Sequence, residues 1–314
     1  MSTAFLFPGQ GSQSVGMMAA FAATDATVAR TFDEASAVLG QDLWKLVCEG
    51  PAETLNATEN TQPAMLAAGV ATWRLWRARG GARPNVVCGH SLGEYAALVA
   101  AGVLGFPQAV ALVRQRALLM QQAVPAGVGA IAAVLGLDDD AVIAACAEAA
   151  AGEVVQAVNF NSPGQIVIAG HAAAVDRALA GCKARGAKRA VLLPMSVPAH
   201  SALMQPAGER FAAELATAPM AEPAIAFWSP VDGQQHHDAA SIRSVMQRQL
   251  ASPVRWSELV RALVGTGTTR FVECGPGKVL ASLVRRIDKR PELTAAALED
   301  PAAMDAALIT GGQP

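Results

Sequence analysis

Val86-Val87-Cys88-Gly89-His90-Ser91-Leu92-Gly93-Glu94-Tyr95 is the stretch that decides the fold. An apolar run, Asn85 to Cys88, enters a G-x-S-x-G pentapeptide, and a helical stretch follows to Ala101, where Gly102 stops it. Buried strand, sharp turn and helix in that order form the nucleophile-elbow pattern, in which small flanking glycines allow the turn that presents the serine hydroxyl. The pentapeptide alone is common, so its weight comes from the strand before it and the helix behind it. The same grammar occurs twice more. Thr3 to Phe7 is apolar and stops at Pro8-Gly9-Gln10-Gly11-Ser12, while Arg270 to Cys274 runs into Gly275-Pro276-Gly277 with a helical stretch from Lys278 to Ile287. Three such units predict an α/β fold: a parallel sheet covered by helices, whose strand ends gather the functional loops.

Between these units the texture changes. Ala130 to Leu135, Gln165 to Ala169 and Ala190 to Leu193 read as strands, and Asp138 to Ala151 and Ala172 to Arg185 as helices. Alternation of this kind predicts a compact α+β insertion over 124–197, leaving 1–123 and 198–314 as the core. Pro125-Ala126-Gly127 and Pro194 to Pro198 are its expected hinges, and Asp232 to Asp238 reads as an exposed loop.

Composition narrows the functional classes. The 314 residues are 52% hydrophobic and 16% charged with a net charge of -2, so a large core is available and no broad basic field exists for nucleic acid or an anionic membrane. Met1 to Gln10 hold no basic segment and reach Pro8-Gly9 too early for a signal peptide, and the apolar runs break before membrane-spanning length. The five cysteines are scattered and form no C-x-x-C pair, which fits reduced thiols in a cytoplasmic protein. His236-His237-Asp238 lacks a spaced third ligand, so no metal site is expected. Gly9-Gln10-Gly11 has Ser14 where a dinucleotide-binding loop needs glycine, and Gly277-Lys278 is followed by Val279 where a P-loop needs Ser or Thr.

Ser91 needs a base, because a serine hydroxyl at its ordinary pKa is a weak nucleophile. The candidates are His90, His171, His200, His236 and His237. His90 points away from the hydroxyl if the turn holds, His171 follows the turn at Gly170, and the last two lie in a polar loop. That leaves His200, where the chain leaves the insertion; a helix-starting surface histidine is the competing reading. Leu92, at the start of the elbow helix, offers a backbone N–H to an oxyanion. In the helical stretch Pro107 to Gln122, at about 100° per residue, Arg114, Gln115, Gln121 and Gln122 share a polar arc while Arg116 falls among Leu112, Val113, Leu119 and Met120. Arg116 should therefore point inward, to meet either a protein carboxylate or the carboxylate of a substrate.

Phe7-Pro8-Gly9-Gln10-Gly11-Ser12-Gln13, Gly89-His90-Ser91-Leu92-Gly93-Glu94-Tyr95 and Glu273-Cys274-Gly275-Pro276-Gly277-Lys278 occur in this order, with Val158 to Gln165 and Ser252 to Trp256 between and around them. On these motifs the chain resembles the malonyl-CoA:acyl carrier protein transacylases over essentially its whole length. The resemblance implies an α/β-hydrolase-like core with an inserted ferredoxin-like subdomain. It also implies Ser91 as nucleophile, His200 as base, Arg116 as the clamp on the malonyl carboxylate, and the N–H groups of Gln10 and Leu92 as oxyanion donors. The main-chain carbonyl of Gln249 would orient the histidine in place of an acid, and Gln62, Asn159 and Asn161 would line the pocket. Ala199 stands where some relatives would carry serine. The implied partners are malonyl-CoA and holo acyl carrier protein, with no metal or redox cofactor and a monomeric enzyme serving fatty acid synthesis. Alternatives are a malonyl-loading enzyme of a polyketide synthase or malonate decarboxylase, a serine esterase or thioesterase, and a non-catalytic module that docks carrier protein.

Overall fold

A computed structural model describes residues 2–125, 127–195 and 197–311. Ala126 and Ser196, within the two expected hinges, lie outside the described residues. The described residues form ten strands: β1 Ser2–Phe7, β2 Val86–Gly89, β3 Gly129–Leu135, β4 Val155–Ser162, β5 Gln165–His171, β6 Arg189–Leu192, β7 Ala226–Ser229, β8 Gln234–His236, β9 Thr268–Glu273 and β10 Thr294–Ala297. Six of them form one sheet in the order β10-β9-β1-β2-β7-β8, parallel except for β8, which runs antiparallel to β7. The chain is thus an α/β protein with a mixed, mostly parallel sheet.

Strand β1 explains why the sheet is covered on both faces. Ala4, Phe5, Leu6 and Phe7 are all fully buried, as an uninterrupted apolar run in a parallel sheet requires. Side chains alternate across a strand, so Phe5 and Phe7 enter a cluster with Met65, Leu75 and Trp76 of the helix Thr58–Ala78. Ala4 and Leu6 enter a different one with Trp256, Leu259, Phe271 and Leu280.

Strands β3 to β6 make a second, antiparallel sheet in the order β4-β5-β3-β6. Helices Asp139–Ala149 and Ala172–Ala184 supply Val142, Cys146, Val175 and Leu179 to its own apolar cluster. β4 was not among the strands expected from the sequence. Its pattern is broken by Asn159 and Asn161 and by two register shifts against β5, between Ala157 and Asn159 and between Phe160 and Ser162. The strand is tied to the larger sheet's side of the molecule, since Val254 N–H donates to the Val158 carbonyl (2.8 Å) and Phe160 N–H to the Val254 carbonyl (2.9 Å). Asp232 to Asp238 is not wholly an exposed loop: part of it is β8, and His236 is buried with its Nε2 3.2 Å from Asp232 Oδ1. Among the described residues no helix is long and apolar enough to cross a membrane.

Candidate active site

The elbow is enforced sterically. Ser91 sits at the end of β2 with φ +52°, in the left-handed region that non-glycine residues enter only under constraint. A Cβ on Gly89 would lie 2.0 Å from the Gly93 carbonyl carbon, and one on Gly93 would lie 1.9 Å from the Phe7 oxygen. Both glycines are therefore obligatory: the first lets the turn close on itself, the second lets the elbow helix Gly93–Ala100 seat against the end of β1. The N–H groups of Leu92 and Gln10 donate to no acceptor among the described residues.

His200 is buried and, like Ser91, has a positive φ, +67°. Its own N–H donates to the Leu250 carbonyl (3.0 Å). Its Nδ1 lies 2.9 Å from the Gln249 carbonyl oxygen and its Nε2 2.7 Å from Ser91 Oγ. A carbonyl oxygen can only accept, so the proton resides on Nδ1 and the Nε2 lone pair faces the serine hydroxyl. Burial first, and the nearby Arg116 charge second, push the imidazole pKa down to about 3. The ring is thus neutral at physiological pH.

Arg116 lies on the buried face of the helix Phe106–Ala123, among Leu112, Val113, Leu119 and Met120. Its Nη1 donates to Gln62 Oε1 (2.8 Å), its Nε and Nη2 to Gln249 Oε1 (3.2 and 3.0 Å), and its Nη2 also to Ser91 Oγ (3.1 Å). None of the ion pairs among the described residues involves it. A buried guanidinium held by amides, a hydroxyl and the face of the Tyr95 ring, whose centroid is 5.8 Å from Cζ, retains a positive charge beside Ser91. The nearest acid, Glu94, is reached through an amide: Gln249 Nε2 donates to Glu94 Oε1 (2.6 Å) and to the Ser91 carbonyl (2.9 Å). Ser229 Oγ donates to Glu94 Oε2 (2.7 Å).

The structure thus gathers Ser91, His200, Arg116, Gln249 and Gln62 into one bonded cluster. Gln10, Asn159 and Asn161 border a neighbouring cavity of about 470 Å³, together with His90. His90 makes no bond to Ser91; its Nε2 lies 2.8 Å from Asn161 Oδ1, joining the elbow to β4. His171 Nδ1 accepts from the Val154 N–H (2.9 Å), far along the second sheet. The sequence reading missed Glu94, Ser229 and the side chain of Gln249. One signal was available, since Glu94 is the only charged residue between Arg83 and Arg114.

A family model described as an acyl transferase domain matches residues 4–299. A malonyl CoA-acyl carrier protein transacylase of Salmonella typhimurium is 54% identical over 305 residues, covering 97% of this chain and 98% of the relative. The crystal structure of an acyl carrier protein S-malonyltransferase from Vibrio cholerae superposes with a TM-score of 0.94 at 53% identity, over 98% of this chain and 100% of that one. A malonyl-transacylase solved in complex with a type II polyketide synthase acyl carrier protein gives 0.97 at 49% identity, over 99% and 100%. Fold and matched domain make the chain an acyltransferase. It belongs to the malonyl CoA-acyl carrier protein transacylase family.

Proposed function

We propose that the protein moves a malonyl group from malonyl-CoA to the phosphopantetheine thiol of an acyl carrier protein, through a malonyl ester on Ser91. Ser91 Oγ attacks the thioester carbonyl while His200 Nε2 takes its proton. The C–S bond then breaks, and the proton passes to the departing CoA sulfur. In the second half-reaction the carrier thiol gives its proton to His200, its sulfur attacks the ester carbonyl, the C–O bond to Ser91 breaks, and the proton returns to Ser91 Oγ. The N–H groups of Leu92 and Gln10 hold the oxyanion in both halves; a donor of this kind is worth about 100 to 1,000-fold in rate. The Gln249 carbonyl orients the imidazole, Arg116 takes the malonyl carboxylate with Gln62 beside it, and Asn159 and Asn161 line the approach. These steps call on no metal or redox cofactor.

The observation that carries this reading is Arg116: a buried cation beside the nucleophile, left without an acidic partner, selects an acyl group with a free carboxylate. The strand and helix order of 129–192 supports a ferredoxin-like unit over 124–197, inserted into an α/β-hydrolase-like core of 1–123 and 198–314. We read the protein as a monomer, and the free cysteines suit a cytoplasmic enzyme of fatty acid synthesis. Intact mass after mixing with malonyl-CoA tests the reading. A malonyl adduct on Ser91, absent from Ser91→Ala and formed far more slowly in a parallel reaction with acetyl-CoA, is expected; no adduct, or adducts formed equally fast from both thioesters, overturns it.

A further inference from the structure

Glu94 is fully buried, yet it touches neither Ser91 Oγ nor the Arg116 guanidinium. Its two oxygens accept from Ser229 Oγ and from Gln249 Nε2, and burial raises its carboxyl pKa to about 7 against the opposing pull of those two bonds. Resting on the acyl-transfer reading above, we propose that Glu94 is a positioning residue: with Ser229 it fixes the Gln249 side-chain amide so that oxygen, and not nitrogen, faces Arg116.

The two ends of a glutamine amide are nearly identical in shape, so hydrogen-bond partners alone decide which way it points. Here they leave one answer. On one side stand two acceptors, Glu94 Oε1 and the Ser91 carbonyl; on the other stand the Nε and Nη2 donors of Arg116. Reversal would set oxygen against two oxygens and N–H against the guanidinium. The amide also separates Glu94 from Arg116. A direct carboxylate contact would neutralise the guanidinium, whereas a relay through Gln249 holds it in place and leaves its charge for the acyl carboxylate. Because the main-chain carbonyl of Gln249 holds His200 Nδ1, one residue sets both the clamp and the base.

Rates of acyl-enzyme formation from malonyl-CoA and acetyl-CoA test this, for Glu94→Gln and Ser229→Ala, each in the wild-type and the Arg116→Ala background. Glu94→Gln keeps the shape and removes the charge and one acceptor. It should lower the malonyl-to-acetyl kcat/KM ratio by about 10 to 100-fold, the scale of a lost charge-assisted hydrogen bond. Ser229→Ala should act in the same direction by about 3 to 10-fold, and decides the matter if Glu94→Gln does not fold. In the Arg116→Ala background neither substitution should move the ratio by more than about twofold. A uniform loss with both thioesters, or a ratio change that persists without Arg116, overturns the positioning role. Failure of the wild type to form a malonyl-enzyme would instead overturn the reading of function, so the two failures are distinct.

Discussion

Replacing Arg116 by alanine separates substrate choice from chemistry. In the free site the guanidinium is already bonded to Gln62, Gln249 and Ser91, so an arriving carboxylate exchanges contacts as well as adding them. We therefore count the gain as one net charge-assisted interaction, about 1.5–3 kcal/mol. At about 1.36 kcal/mol per tenfold, Arg116→Ala should lower kcat/KM for malonyl-CoA by about 10 to 150-fold. Acetyl-CoA has no carboxylate to lose. For it the substitution also frees Ser91 Oγ from the Nη2 donor and removes one of the influences that depress the His200 pKa, so its rate should hold or rise. Stopped single-turnover reactions read by intact mass measure both rates on one sample. An equal fall with both thioesters would refute the carboxylate-clamp reasoning, because loss of packing or of fold acts on both alike.

Gly93→Ala should cost at least about 3 kcal/mol and abolish activity by displacing the elbow, since its Cβ would overlap the rigid Phe7 backbone; a melting temperature like that of the wild type would show that the turn adapts. A folded-state His200 pKa near 3 predicts that acylation by acetyl-CoA keeps the neutral base well below pH 6.5; in Arg116→Ala the acid limb should move to higher pH, and identical limbs would remove the charge coupling. The same depressed pKa contributes stability that is full above about pH 6.5 and is lost as pH falls toward 3. Urea unfolding should accordingly show the wild type losing about 2 kcal/mol more than His200→Asn between pH 7.5 and pH 5, whereas parallel losses would contradict the buried neutral ring.

What the sequence disclosed and withheld follows from the range of each interaction. The elbow was legible because its demands are local: two glycines, a strand and a helix within about fifteen residues. β1 and β2 were legible because burial on both faces leaves an unbroken apolar run, and β9 because Phe271-Val272 leads directly into the Gly275-Pro276-Gly277 turn. Arg116 could be turned inward by helical periodicity alone. Its surroundings could not, since Gln62 and Gln249 lie 54 and 133 residues away and nothing local distinguishes an amide partner from a carboxylate. β4 escaped because the asparagines that face the cleft interrupt its alternation, and β8 because three polar residues carry too little pattern. Glu94 announced itself only as a lone charge in an apolar stretch, without indicating its partners, Ser229 and Gln249, more than 130 residues further on.

The most direct test of the account is to isolate the malonyl-enzyme, remove malonyl-CoA, and follow its mass after adding holo acyl carrier protein or buffer alone. The malonyl group should leave Ser91 and appear on the carrier thiol, while the ester persists in buffer. Release of free malonate at the same rate with or without carrier protein would contradict it and make the enzyme a hydrolase.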